Sequence, residues 1–148
     1  MEDFKLRIFE SEHQGRPFPE HRRLPPDISR RLRQSLAEGA GLSVVEGTAL
    51  MKTLCESSRP VEHANAKAEG FDLAALVHSL ELEAQEEVYI NWDDFTTIDR
   101  MRFKDLTEHF DYIWYPGPDD IEIFDDSLSW ILSVDHGGYV RVLVLAGR

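Results

Sequence analysis

The sequence predicts an α+β domain in which N-terminal helices pack on one side of a C-terminal antiparallel sheet, a meander with a final hairpin. Three observations predict it. Apolar residues recur at helical spacing between residues 27 and 86, then alternate from residue 87 onward. Short Pro-, Gly- and Asp-rich turns separate the alternating segments. A length of 148 residues suits one domain, divided into a loop-rich section 1–26, a mainly helical section 27–86 and a mainly stranded section 87–148. A chain of that size buries roughly 70% of the surface its unfolded form exposes, so no metal or disulfide is needed to hold it.

In chain order, Phe4, Leu6 and Ile8 alternate with Lys5, Arg7 and Phe9, which reads as a short strand or extended arm. Pro17, Pro19, Pro25 and Pro26 make residues 14–26 a loop. Asp27 is placed to cap a helix whose face carries Ile28, Leu32 and Leu36, and Gly39 is placed to stop it. Ser43 and Glu46 have capping-box spacing, ahead of a stripe of Val45, Ala49, Leu50 and Leu54 that ends near Cys55. Residues 56–70 are polar and read as a connection. Asp72 caps a third helix, with Phe71 and Leu76 at the spacing of a hydrophobic staple and Leu73, Val77, Leu80 and Ala84 along its buried face.

Val88, Ile90 and Trp92 alternate with Tyr89 and Asn91, as a strand requires. Phe95, Ile98, Met101, Leu106 and Phe110 suggest one or two helical turns. Residues 112–115, 121–124, 129–135 and 139–145 are rich in aromatic and β-branched residues and read as strands. A two-residue turn at Gly137-Gly138 would pair His136 with Tyr139, and a longer loop that includes His136 would shift that register.

Charge is unevenly spread. Residues 1–33 hold eight Lys or Arg against six Asp or Glu; residues 34–148 hold eight against 22, for a net charge of −12. Such a field repels phosphate backbones, so nucleic acid is not an expected partner. No apolar run reaches the ~20 residues of a membrane span, and the N-terminus lacks the basic-then-apolar start of a secretory signal. One cysteine excludes an internal disulfide. A soluble, cytoplasmic protein without membrane partner or cofactor is the expectation.

The densest polar feature is Asp119, Asp120, Glu122, Asp125 and Asp126. Asp120 and Glu122 project to the face opposite Ile121 and Ile123, where they repel unless a cation lies between them. The spacing does not match an EF-hand loop, and three readings follow: a solvated strand end, a docking surface for a basic protein, or a divalent-metal site. Trp114 and Tyr115 are candidate exposed aromatics beside these carboxylates, a combination suited to a cationic protein surface. His13, His21, His63, His78, His109 and His136 form no local zinc pattern. His136 reads as a turn residue beside Tyr139, and His109 as a helix-end residue. Cys55 reads as a small core residue. No nucleophile elbow and no glycine-rich phosphate loop occur, so no catalytic residue and no metal ligand is assigned.

The stretch Ile113-Trp114-Tyr115-Pro116, then residues 119–125, Leu128, Trp130 and Asp135-His136-Gly137-Gly138, resembles a C-terminal module of small acidic bacterial proteins. Some of these are uncharacterised, and others are immunity proteins of contact-dependent or polymorphic toxin systems. The resemblance covers roughly residues 85–145. It implies a monomeric or dimeric non-catalytic inhibitor that binds a basic toxin domain, and carries over no defined contact residues. The function expected is therefore an acidic protein-binding domain using Asp119, Asp120, Glu122, Asp125, Asp126, Trp114 and Tyr115. The alternatives are a regulatory or structural interaction domain, and a divalent-metal-dependent hydrolase built on Asp119, Asp120 and Glu122.

Overall fold

Side chains alternate along the central strands, yet both sets are buried, so the sheet needs cover on two faces rather than one. The computed structural model describes residues 1–42 and 47–145. Its elements are α1 (Asp3–Glu12), β1 (His21–Arg23), α2 (Pro26–Gly39), α3 (Gly47–Ser57), β2 (Arg59–Asn65) and α4 (Leu73–Ser79), followed by β3 (Glu87–Asn91) and β4 (Ile98–Arg102). Then come α5 (Phe103–Glu108), a 3₁₀ turn at Phe110–Tyr112, β5 (Ile121–Phe124), β6 (Trp130–Val134) and β7 (Tyr139–Val144). The strands form one sheet in the order β1-β4-β3-β5-β6-β7-β2, with every pairing antiparallel. The fold is α+β, and β5, β6 and β7 make the expected meander with its final hairpin. Both edge strands come from the first half of the chain.

Val88, Ile90, Ile121, Ile123, Leu132 and Val142 point to one face, where Phe9 of α1, Leu73 and Val77 of α4 and Leu106 of α5 complete a core. Tyr89, Ile98, Phe124 and Ile131 point to the other, against Leu36 of α2 and Leu50 and Leu54 of α3. Cover on one side only would have left that second set in water. At ~25 cal/mol per Å² of apolar surface, each such side chain loses about 1.5–3 kcal/mol when exposed.

Several local expectations change in the fold. Residues 4–9 are helical. Met1, Lys5 and Phe9 lie one turn apart and all turn into the core, whereas Ile8 of the alternating set is exposed. Pro26 occupies the first turn of α2 with no side-chain cap, and Asp27 instead pairs with Arg31 at 3.0 Å. The left-handed residue closing α2 is Gly41 (φ +80°), which donates its N–H to Glu38 O, so Gly39 is still helical. Ser43, Val45 and Glu46 lie outside the described residues. The polar connection contains β2, an edge strand whose exposure, Pro60 and register shift hide it from periodicity.

Asp72 caps α4 as expected, accepting from Ala75 N at 3.0 Å, and Phe71 and Leu76 pack into the same core. Ile98 and Met101 belong to a strand rather than a helical turn, while Leu106 and Phe110 are helical. Residues 112–115 form no strand, because they leave the 3₁₀ turn into a loop. The β6–β7 register pairs Val134 with Val140, one residue away from the two-residue-turn alternative. The loop is His136-Gly137-Gly138, with Gly138 left-handed at φ +86° and donating to Asp135 O at 2.9 Å.

A polar row across the sheet as candidate functional site

Four strands each carry one polar residue at the same lateral position. Asn91 of β3 pairs with Glu122 of β5, Glu122 with Ser133 of β6, and Ser133 with Arg141 of β7. At ~4.8 Å between strands, the row spans about 14 Å. It lies on the α2/α3 face, and a groove of about 270 Å³ opens over it beside α3. Met51, Leu54, Cys55 and Val134 give the groove apolar walls, while Asp120, Glu122, Asp135 and Arg141 line its polar parts.

The two ends of the row differ in charge balance. Arg141 is engaged at the residue that follows α3: Nε donates to Ser58 Oγ and an Nη to Ser58 O, both at 2.7 Å. Glu122 is 7% exposed and has no ion-pair partner among the described residues. Its Oε1 accepts from Asn91 Nδ2 at 2.6 Å, and Asn91 Oδ1 in turn accepts from Phe95 N at 2.9 Å. Burial pushes the Glu122 carboxyl up to about 7, against the bond from Asn91 and with repulsion from Asp120 and Asp93. Asp120, at the rim, accepts from both the backbone N (2.7 Å) and Nδ1 (2.9 Å) of His136. That bond to Asp120 raises the His136 ring above the ordinary histidine value.

The acidic residues singled out from the sequence therefore have separate surroundings. Asp119 is buried, accepting from Lys5 Nζ at 2.7 Å and from Tyr115 N at 2.8 Å. Lys5 also donates to Ile113 O at 2.8 Å and lies 4.1 Å from the Trp92 ring centre. Asp125 is fully buried and organises two chain segments, accepting from Gln85 N and Ser127 N at 3.0 Å each. Trp114 is buried, with Nε1 donating to Asp119 O at 3.0 Å, and Tyr115 is half-buried against Phe4. Asp126 is exposed and accepts from the Tyr89 hydroxyl. Asp119, Asp125 and Trp114 are thus structural and offer no contact surface, a correction to their expected role. Asp120 and Glu122 do share a face, but α3 lies beside it and Glu122 is not solvated.

The carboxylates of the metal reading do not converge, since Asp119 is held by Lys5, Asp120 by His136 and Glu122 by Asn91. Among the described residues no group of three or more His, Cys, Asp or Glu side chains could hold a metal ion. Cys55 is exposed on α3 rather than a core residue. His136 bonds Asp120 rather than resting at Tyr139, and His109 caps α5 with its ring edge-on to Phe9. Sequence reasoning missed Asn91, Ser133 and Arg141; the available signal was the lone polar or charged residue among aliphatic and aromatic ones in β5, β6 and β7, with none for Asn91 at the end of β3. No protein-family model, curated protein or solved structure matches this chain. Among the described residues no helix is long and apolar enough to cross a membrane.

Proposed function

We propose that the chain is a non-catalytic binding domain whose groove over the Asn91–Glu122–Ser133–Arg141 row takes a lysine or arginine side chain of a basic protein partner. The observation that carries this reading is Glu122: a buried carboxyl with Asp120 and Asp93 nearby and no cation paired with it among the described residues. An incoming ammonium or guanidinium supplies the missing charge, while Met51, Leu54 and Val134 cover an aliphatic stem. A surrounding charge of −12 speeds encounter with a basic protein. With the resemblance of residues 85–145, this favours an immunity-type inhibitor of a basic bacterial toxin acting in the cytoplasm.

The test uses the basic C-terminal domain of a toxin-like protein encoded beside this gene, mixed with the full chain in stopped-flow experiments. The association rate is expected to fall about tenfold or more between low and high salt. Asp120→Asn and Glu122→Gln are each expected to weaken the complex without lowering thermal stability. A rate indifferent to salt, or affinity unchanged in both variants, rejects the reading.

A further inference from the structure

Glu122 faces an incoming cation with one carboxylate oxygen, because the other is already taken. Its Oε1 accepts from Asn91 Nδ2 at 2.6 Å, and the Asn91 amide is itself held at both ends. Nδ2 also donates to Asp93 O at 2.6 Å, while Oδ1 accepts from Phe95 N at 2.9 Å and from Asp93 N at 3.3 Å. Asn91 is fully buried, so freeing Oε1 would leave an amide N–H unpaired in the interior. Glu122 Oε2 accepts from no described residue, yet it opens on the groove rather than being sealed in, as Ser29 Oγ, Arg33 Nε and Trp130 Nε1 are. Ser133, directly opposite on β6, lines the same groove, and its hydroxyl makes no hydrogen bond among the described residues.

We propose that the groove selects lysine over arginine: the partner's lysine ammonium bonds Glu122 Oε2 and Ser133 Oγ, with its stem against Met51, Leu54 and Val134. This inference rests on the docking reading above and narrows it. A guanidinium is a rigid planar fork, and its strong pairing uses both oxygens of one carboxylate. Only one is free here. An ammonium is a compact charge whose three donors diverge from a single nitrogen. Directly opposite residues on neighbouring antiparallel strands have Cβ atoms about 4.5–5.5 Å apart, close enough for both side chains to meet that nitrogen.

The other charged groups along the groove are committed elsewhere. Arg141 holds Ser58, and Asp135 Oδ1 accepts from Gly137 N and Tyr139 N at 2.9 Å each. Asp120 Oδ1 is held by His136 and adds negative charge at the mouth. Within the row, the side-chain acceptors without a donor are therefore Glu122 Oε2 and Ser133 Oγ. The apolar walls complete the match, since a lysine carries four methylenes that gain from cover while its ammonium reaches a polar partner.

Amide NMR titrations of the full chain with n-butylammonium, n-butylguanidinium and methylammonium chlorides test the proposal. They are run at pH 8, where Glu122 is ionised and an alkylammonium keeps its proton. Saturable shifts at Glu122, Ser133 and Val134 are expected with n-butylammonium, which binds about tenfold or more tighter than the guanidinium on the same stem. Methylammonium, with no stem to cover, is expected to bind about tenfold more weakly than n-butylammonium. Ser133→Ala breaks no bond within the chain, so it is expected to melt as the parent does while weakening n-butylammonium about tenfold, the range for a charge-assisted bond. Equal or tighter binding of n-butylguanidinium overturns the lysine preference and leaves a cation-binding groove, and the docking reading, in place. Absence of saturable shifts with either cation at ~50 mM, or n-butylammonium affinity unchanged in Ser133→Ala, also overturns the inference. The docking reading is decided separately, by the salt dependence of its own complex.

Discussion

Lys5 is a fully buried charge, with Asp119, a main-chain carbonyl and the Trp92 ring around its ammonium. Truncating one partner of such a pair leaves an uncompensated charge in low dielectric. Lys5→Met is therefore expected to lower stability by about 3–5 kcal/mol in urea unfolding, and the Lys5→Met, Asp119→Asn double variant by less than the sum of the singles. Glu122 acts in the opposite sense. Its carboxyl titrates near 7 in the folded chain against 4.5 ordinarily, so between those values the folded state keeps a proton that the unfolded state releases. Its contribution is complete below pH 4.5 and is lost as pH rises through about 7, a loss on the order of 3 kcal/mol. Glu122→Gln keeps an acceptor for Asn91 and is expected to flatten this part of the stability–pH curve, ending more stable than the parent at pH 8. A variant whose curve runs parallel to the parent's would remove Glu122 as the titrating group.

The β6–β7 hairpin shows how a turn sets which residues face which layer. With His136-Gly137-Gly138 as the loop, Trp130, Leu132, Val134, Val140 and Val142 all enter the core beneath α1 and α4. A one-residue slip would turn one strand's set toward the other face. Gly138 holds the longer loop by its positive φ, and a Cβ there would stand 2.3 Å from Asn65 Oδ1 and 3.0 Å from Lys67 N. Gly138→Ala is expected to cost about 2–4 kcal/mol, from left-handed strain plus the clash, with lost hydrogen-exchange protection centred on β7 and β2. Protection unchanged at both strands would show that the loop tolerates a side chain.

Across the whole molecule, the basic start of the chain is partly consumed in closing the sheet. Lys5 meets Asp119, while Arg23 and the Met1 amino group meet Asp99, which also accepts from Trp92 Nε1 at 2.9 Å. Of the net −12, the buried set Asp99, Asp119, Glu122, Asp125 and Lys5 accounts for three charges, and nine lie outside it. The surface stays acidic, although the acidic run at 119–126 is not its main source. Deleting residues 1–24 removes α1, β1 and both sets of counter-charges. Such a chain is expected to lose its cooperative thermal transition by circular dichroism, not to leave the stranded half intact; a sharp transition would show that residues 25–148 fold alone.

Sequence by itself determined the α+β class, the cap at Asp72, and strands β3, β5, β6 and β7, because periodicity and turn chemistry are local and these segments obey them without conflict. It also placed Asp120 and Glu122 on one face, since strand side chains alternate whatever the surroundings. Tertiary structure decided what those carboxylates do. Whether a charge is solvated, paired or buried depends on segments remote in the chain: Lys5 is 114 residues from Asp119, and Asn91 is 31 from Glu122. The two edge strands, the helical start of the chain and the polar row across the sheet were hidden for the same reason. Each is stabilised by partners that only the folded chain brings together; a lone polar residue in an apolar strand marks a position, but not the neighbours it will meet.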